Sequence, residues 1–274
     1  MKATEAGRSV AQELRTAGIP DAQFEGELLI RAASGLDRVH YFAGAELDSL
    51  DMARVEELKV RRLDREPTAY ITGCREFYAL PFHVTSDVLV PRPETELLVE
   101  VALEQLASAR GQKAIDVGTG SGCVAVAIAK HASAPTDVTG IDLSLPALKV
   151  GRRNAAANSV DVQFAQGHLA QSIRSTSVIV ANLPYIPSAE IAMLEPEVGR
   201  WEPRSSLDGG GDGLDLIRSL IHDCGARLRP ELLALEVGFG QAGDVSSLAA
   251  AAGADTYVLD DLAGIPRVVC ARWR

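Results

Sequence analysis

The sequence has few cysteines, no long apolar run and fewer basic than acidic residues. Its four cysteines, among 274 residues, form no C-x-x-C pair, which excludes a disulfide framework or a cysteine zinc site as an organising feature. No stretch approaches the roughly 18 apolar residues of a membrane span, and the first residues lack the apolar core of a signal peptide. The 37 acidic against 27 basic residues give a formal charge of -10, which argues against a general affinity for nucleic acid. We therefore expect a cytoplasmic protein without direct nucleic-acid or membrane contacts, and we expect a monomer.

The chain divides by pattern into three parts. Residues 1–72 contain no convincing strand and show apolar residues at helical spacing, which predicts a small helical bundle. Residues 73–90 are rich in aromatic and β-branched residues, which predicts a β-hairpin or an extended linker. Residues 91–274 form the large remaining domain. The apolar positions of the predicted bundle are Val10, Leu14, Ala17, Phe24, Leu28, Leu29, Ala32, Met52, Val55 and Leu58.

Short apolar runs alternate with helical patterns in the large domain. This alternation is typical of βαβ units and predicts an α/β fold with a Rossmann-like, mostly parallel sheet covered on both faces. The last two runs are separated by only a short turn, so we expect an antiparallel hairpin at the end of the sheet. The predicted strands are residues 113–117, 137–141, 160–164, 177–182, 231–237, 256–260 and 267–273.

A glycine-rich loop follows the first of these strands and opens a helical pattern at Cys123. Glycine permits a positive φ in a tight turn and lets the backbone approach a ligand without a Cβ in the way. The spacing is G-x-G-x-G, and Cys123 stands where a dinucleotide fingerprint has a third glycine or alanine. That spacing favours S-adenosyl-L-methionine over a dinucleotide. The predicted cofactor-binding residues of the loop are Asp116, Gly118, Thr119, Gly120, Ser121 and Gly122.

Two further positions are expected to meet the same cofactor. Asp142 ends the second strand, where a carboxylate can accept hydrogen bonds from both hydroxyls of a ribose. His168 and Leu169 follow the third strand, where an adenine ring is expected in this architecture. For the imidazole of His168 itself, a surface or packing role is the favoured interpretation.

An Asn-Leu-Pro-Tyr segment follows the fourth strand, at the edge where open α/β sheets bind ligands. The nitrogen of an amide or aromatic amine is a poor nucleophile because its lone pair is delocalised. The side-chain oxygen of Asn182 and the carbonyl of Leu183 can each accept one N–H of such a group and orient it toward a methyl sulfonium. Pro184 stiffens the turn, and Tyr185 can stack on a planar group. These four residues are the predicted catalytic and substrate-binding residues, and Asn182 is also expected beside the cofactor.

Further segments, taken in their order along the chain, resemble those of one family. This family is the HemK/PrmC-type release-factor glutamine methyltransferases, which methylate the glutamine of a Gly-Gly-Gln loop in peptide chain release factors. The resemblance covers nearly the whole chain and depends on the order of its segments. Beyond the two motifs above, these are Arg65-Glu-Pro-Thr-Ala-Tyr-Ile-Thr-Gly73 with Arg75-Glu-Phe, Val90-Pro-Arg92-Pro-Glu94-Thr-Glu96, Glu202-Pro-Arg204 with Leu207-Asp-Gly-Gly, and Asp261-Leu-Ala-Gly264 with Arg267-Val-Val.

The resemblance implies a class I S-adenosyl-L-methionine-dependent methyltransferase. Residues 118–122 would then line the cofactor, Asp142 would hold its ribose, and S-adenosyl-L-homocysteine would be the product. Residues 182–185 would hold the substrate glutamine amide. The helical bundle would help to bind a release factor, which is an expectation by analogy.

Two segments differ from the family pattern. Leu183 stands where the family usually has proline, and this leucine form resembles the motif of the ribosomal RNA adenine dimethylases. Gln166 precedes Gly-His-Leu, where many relatives have an acidic residue. Three alternatives therefore stay open. An adenine N6-methyltransferase would use the same two acceptors, the Asn182 side-chain oxygen and the Leu183 carbonyl, on a base amine of RNA or DNA. Such an enzyme normally has a basic groove. The others are a non-catalytic adaptor with this fold, and a dinucleotide oxidoreductase, which the loop spacing disfavours.

Overall fold

Five helices at the start of the chain form most of the first of two units. The computed structural model describes residues 1–107 and 112–273. The first unit contains Met1–Cys74 with Glu195–Trp201, and the second contains Arg75–Leu194 with Glu202–Arg274. Among the described residues, no helix is both long and apolar enough to cross a membrane.

The helices of the first unit pack around an apolar core that includes Leu14, Leu29, Ile30 and Val55. Phe24, predicted to face this core, is instead 52% exposed, because Leu29, Ile30 and Ala33 form the buried face of its helix. The helices are α1 (Ala3–Thr16), α2 (Ala22–Ser34), α3 (Arg38–Phe42), α4 (Ser49–Leu63) and α5 (Thr68–Thr72), followed much later in the chain by α9 (Pro196–Gly199).

A buried arginine holds the late segment in the first unit. The guanidinium of Arg62 forms ion pairs with Glu25 of α2 and with Glu197 of α9. Arg65 adds a second ion pair to Glu197, with 2.9 Å between Nε and Oε1. Residues far apart in sequence thus share one charged cluster, which explains why Glu195–Trp201 belongs to this unit.

The second unit contains a two-stranded sheet and a seven-stranded sheet with flanking helices. The small sheet consists of β1 (Cys74–Phe77) and β2 (Leu80–His83). The elements of the large unit are α6 (Glu96–Leu106), β3 (Lys113–Val117), α7 (Cys123–His131), β4 (Asp137–Asp142), α8 (Leu145–Ala157), β5 (Gln163–Gln166), β6 (Val178–Ala181), α10 (Asp215–Asp223), β7 (Leu232–Glu236), α11 (Ala242–Ala251), β8 (Asp255–Asp260) and β9 (Pro266–Arg272).

The large sheet has the strand order β5-β4-β3-β6-β7-β9-β8. Strands β3 to β7 pair in parallel, while β9 runs antiparallel to both β7 and β8. This confirms the predicted parallel sheet with a C-terminal antiparallel hairpin. The chain proceeds outward from β3 to β5 and then returns to the other side of β3 at β6. This reversal opens a crevice at the carboxyl ends of β3 and its neighbours.

Alternate residues of the strands fill two separate cores. Ile115 and Val117 of β3 belong to the core that includes residues of α10 and α11, whereas Ala114 belongs to the core that includes α6 and α7. Strand β7 is buried along its whole length. Helices on both faces thus keep the sheet dry, and its carboxyl edge is left to accept a ligand.

The third predicted strand begins three residues too early in the sequence. The pattern predicted residues 160–164, but the strand is Gln163–Gln166, which pairs with residues 139–142 of β4. Val160 and Val162 pack against the core before pairing begins. Apolar alternation here marks burial rather than hydrogen bonding.

Candidate active site

A cavity of about 310 Å³ lies at the carboxyl ends of β3, β4 and β6. It brings together most of the residues predicted from two separate motifs. Two predicted residues, Gly122 and Tyr185, are not in its lining. The predicted residues that line it are Asp116, Gly118, Thr119, Gly120, Ser121, Asp142, His168, Leu169, Asn182, Leu183 and Pro184.

The glycine loop folds tightly against the end of β4. The N–H groups of Gly118 and Thr119 both donate to the carbonyl of Ile141, at 2.8 and 3.0 Å. Gly118 has a φ of 75°, and a Cβ there would lie 3.1 Å from Cδ2 of Leu183. Glycine at this position therefore lets the cofactor loop touch the Asn-Leu-Pro-Tyr segment directly.

Asp142 holds the same loop through its carboxylate. Its Oδ2 accepts the N–H of Gly120 at 2.9 Å, and its Oδ1 accepts the N–H of Ser144 at 2.8 Å. Each carboxylate oxygen has more than one lone pair, so both can accept a further hydrogen bond from a ligand in the cavity. The geometry is compatible with the predicted ribose contact.

Asp116 is buried at the start of the loop. Its Oδ2 accepts hydrogen bonds from the Thr119 hydroxyl at 2.6 Å and from the N–H of Ala125 at 3.2 Å. Burial raises the pKa of Asp116 to about 6, against the opposing effect of these hydrogen bonds. Asp116 thus joins the loop to α7, and it also lines the cavity.

His168 and Leu169 lie at one side of the cavity. The His168 side chain is exposed, whereas Leu169 is buried and has a φ of 50°. Both line the cavity, and the adenine contact expected of them stays a prediction.

Gly122 lies outside the cavity lining, so its cofactor contact stays a prediction, and its neighbours explain why it is glycine. It has a φ of 77° and precedes α7. A Cβ there would lie 3.1 Å from Cα of Gly151 and 3.2 Å from the Phe164 ring. Glycine at this position permits close packing of α7 on α8 and β5.

Gly122→Ala is therefore expected to lower stability without weakening cofactor binding. The strained φ and the contact with Gly151 together should cost roughly 1–3 kcal/mol. Urea unfolding measures the loss, and calorimetric titration with S-adenosyl-L-methionine measures binding. Gly253→Ala is the matched control, because Gly253 has a φ of 85° with open space around its Cβ position. A clear loss of cofactor affinity in Gly122→Ala alone would return Gly122 to the binding site.

The Asn-Leu-Pro-Tyr segment presents its first three residues to the cavity. The Leu183 side chain is only 4% exposed and belongs to the sheet core. Tyr185 does not line the cavity, and its hydroxyl donates to Oε1 of Glu236 at 3.4 Å. Its ring packs against the sheet core, and the stacking role predicted for it stays a prediction.

Three polar residues behind this segment were missed by the sequence analysis. The Asn182 Nδ2 donates to the Thr95 hydroxyl at 3.1 Å, and that hydroxyl donates to Oε2 of Glu236 at 2.6 Å. Gln241 donates from Nε2 to the carbonyl of Tyr185 at 2.8 Å. One signal was available for Glu236, since a carboxylate ends the otherwise apolar strand β7 at the same sheet edge.

Arg92 and Glu202, noted in the sequence, form an ion pair beside the cavity. The Arg92 Nη2 lies 2.7 Å from Oε2 of Glu202, and Arg92 lines the cavity. Burial raises the pKa of Glu202, although the Arg92 charge acts in the opposite direction. The pair fixes a cationic group at the rim of a site that otherwise contains carboxylates.

Glu236→Gln is expected to stabilise the protein more at pH 8 than at pH 5. Burial raises the pKa of Glu236 from 4.5 to about 7. Because the folded state binds this proton more tightly, the contribution of Glu236 to stability is highest below about pH 4.5 and falls as the pH rises to about 7. Above that pH the ionised carboxylate costs roughly 3 kcal/mol, which the neutral amide avoids. Urea unfolding at several pH values measures this, and a stability difference that does not change with pH would contradict the assignment.

Known proteins are similar to the chain over nearly its whole length. A release factor glutamine methyltransferase of Geobacter sulfurreducens is 40% identical and aligns over 93% of this chain and 91% of its own. One of Bradyrhizobium diazoefficiens is 41% identical over 97% of this chain and 93% of its own. The chain belongs to the release factor glutamine methyltransferase family. The resemblance noted in the sequence is therefore confirmed.

One family model agrees with this membership, and a second model and a solved structure show a likeness to other methyltransferases. Residues 5–73 match the PrmC N-terminal domain, and residues 93–197 match the ribosomal protein L11 methyltransferase (PrmA). The catalytic domain of hMettl16, solved in complex with the MAT2A 3'UTR hairpin 6, superposes with a TM-score of 0.57 over 80% of this chain and 82% of its own, at 12% identity. At that identity the likeness shows the fold alone, which is that of a methyltransferase.

Proposed function

We propose that this chain transfers a methyl group from S-adenosyl-L-methionine to the side-chain amide nitrogen of a glutamine in peptide chain release factors. One observation supports this most strongly. Asn182 and Leu183 share a single cavity with the glycine loop and Asp142. We call the Asn182 side-chain oxygen and the Leu183 carbonyl the clamp. The clamp lies beside a cofactor site, within a chain whose relatives are named for this reaction.

The residues of the cavity fit the cofactor chemically. Because Gly118 has no Cβ, the loop can lie against Leu183 while Gly118 lines the cavity. Asp142 offers acceptors for ribose hydroxyls, and the carboxylates of Asp116 and Asp142 favour a ligand that bears positive charge. The cofactor supplies an electrophilic methyl group on a positively charged sulfur.

The clamp would act on the amide nitrogen by orientation. The Oδ1 of Asn182 and the carbonyl of Leu183 would each accept one N–H of the glutamine, which turns the nitrogen lone pair toward the methyl group. Formation of the N–C bond would accompany breakage of the S–C bond, so that S-adenosyl-L-homocysteine is the leaving group. The positive charge that develops on the nitrogen would be stabilised by the same two oxygens, and one of the two N–H protons would then pass to water.

The first unit is proposed to bind the release factor. Residues 5–73 match the N-terminal domain model of PrmC, and the chain that leaves the candidate site after Tyr185 later enters this unit at Glu195–Trp201. We propose further that the three parts 1–72, 73–90 and 91–274 act as a partner-binding bundle, a linker and a catalytic domain. A monomeric state and a cytoplasmic location complete the proposal.

Incubation with labelled S-adenosyl-L-methionine and recombinant release factors tests the function. Mass spectrometry should find one added methyl group on the glutamine of the Gly-Gly-Gln loop. A release factor in which asparagine replaces that glutamine is the matched control and should stay unmodified. Label found on RNA or DNA instead would favour the adenine methyltransferase.

A further inference from the structure

A chain of three hydrogen-bonding side chains lies behind the clamp. It runs from Asn182 through Thr95 to Glu236, with donor–acceptor distances of 3.1 and 2.6 Å. Thr95 is 3% exposed and Glu236 is 1% exposed, so the bond between these two residues is shielded from water. The two residues are 141 positions apart and meet only because the segment before α6 crosses the end of β7.

The Glu236 carboxylate determines which group donates in each of these hydrogen bonds. An ionised carboxylate has no proton to donate, so Glu236 accepts the proton of the Thr95 hydroxyl. The Thr95 oxygen then has only lone pairs left for Asn182, which must present Nδ2 to it. The Oδ1 of Asn182 is therefore held away from Thr95, and it is the atom that an N–H donor in the cavity needs.

We propose that Thr95 and Glu236 are positioning residues that fix the side-chain amide of Asn182 with its oxygen toward the substrate. The inference rests on the proposed function, since a clamp for an NH₂ group requires an acceptor at this atom. A flipped Asn182 would present a donor to a donor. Linked hydrogen bonds of this kind also strengthen one another in a buried site.

The surroundings of Glu236 explain how the arrangement is sensitive to pH. Its two oxygens accept from the hydroxyls of Thr95 and Tyr185. The other charged or titratable groups that act on it electrostatically are Arg267 of β9, Glu94 before α6 and Cys123 of α7. Burial outweighs the favourable contacts and raises the pKa of Glu236 to about 7. Once protonated, Glu236 can donate to Thr95, whose hydroxyl can then donate to Oδ1 of Asn182 and reverse the amide.

Thr95→Val and Thr95→Ser form the matched pair that tests the proposal. Valine keeps the shape of threonine but removes the hydroxyl, so kcat should fall about 10- to 100-fold, as is usual when a supporting hydrogen bond is lost. Serine keeps the hydroxyl and should retain most of the activity. Cofactor affinity should change little in either variant. Equal activity of the two variants would overturn the proposal.

The pH dependence of kcat provides a readout that a structural role would not change. The wild-type protein should lose activity below about pH 7, where Glu236 becomes protonated. In Glu236→Gln the amide oxygen can still accept from Thr95 at every pH, so this acid limb should disappear. An acid limb that persists unchanged in the variant contradicts the role of Glu236.

A third measurement requires no substrate and separates this proposal from the proposed function. The side-chain NH₂ of Asn182 is identified in an NMR spectrum by its absence in Asn182→Ala. One of its two protons should exchange slowly with water in the wild type and in Thr95→Ser, and rapidly in Thr95→Val. Slow exchange in Thr95→Val would overturn the positioning role. Inactivity of the wild type on release factors would instead refute the proposed function and leave this test intact.

Discussion

Asn182→Ala is expected to lower kcat by about 100- to 1000-fold, the usual cost of losing a group that orients the reacting atoms. Alanine removes the oxygen that would accept one substrate N–H and leaves only the Leu183 carbonyl. The glutamine amide group is then held at one N–H only, so its nitrogen is less often directed at the methyl group. Single-turnover methylation of a release factor at saturating cofactor measures the change.

The cofactor supplies the control for this variant. Asn182 makes none of the hydrogen bonds by which Asp142 holds the loop, so the dissociation constant of S-adenosyl-L-methionine should stay nearly unchanged. Thermal unfolding checks that the fold persists. A variant that methylates at the wild-type rate would refute the clamp.

Asp142→Ala is expected to raise the dissociation constant of S-adenosyl-L-methionine roughly 100-fold, because hydrogen bonds to a charged acceptor contribute about 1.5–3 kcal/mol. Two effects combine. The ribose loses its acceptor, and the N–H groups of Gly120 and Ser144 lose the carboxylate that orders the loop. Calorimetric titration measures the change directly.

Asp161→Ala is the matched control for that variant. It removes the same charge from an exposed residue that does not line the cavity. Its cofactor affinity should equal that of the wild type. If both variants lose affinity equally, net charge rather than the Asp142 contact would control binding.

The candidate site was predictable where local sequence determines it. Gly118 and Gly120 follow β3, Asp142 ends β4, and their spacing together indicated a ligand-binding edge; all three line the cavity. The contact between Thr95 and Glu236 was not predictable, because it depends on tertiary packing between residues 141 positions apart. The motif also does not show that the Tyr185 hydroxyl meets Glu236.

The fold shows the same division between local and distant information. Alternation of strands and helices predicted the parallel sheet, because each βαβ unit is a local feature. The position of β5 was wrong, since Val160 and Val162 are apolar for packing and not for pairing. The return of Glu195–Trp201 to the first unit depends on Arg62 meeting Glu197, and no periodicity predicts an ion pair of that kind.

A structure of the complex with S-adenosyl-L-homocysteine and a release factor tests the central claim most directly. The account predicts that the glutamine Nε2 lies within hydrogen-bonding distance of both Oδ1 of Asn182 and the Leu183 carbonyl oxygen, with its free face toward the cofactor sulfur. Asp142 should meet the ribose hydroxyls in the same complex. A glutamine amide held by other residues, or an Asn182 amide with Nδ2 toward the substrate, would contradict the account.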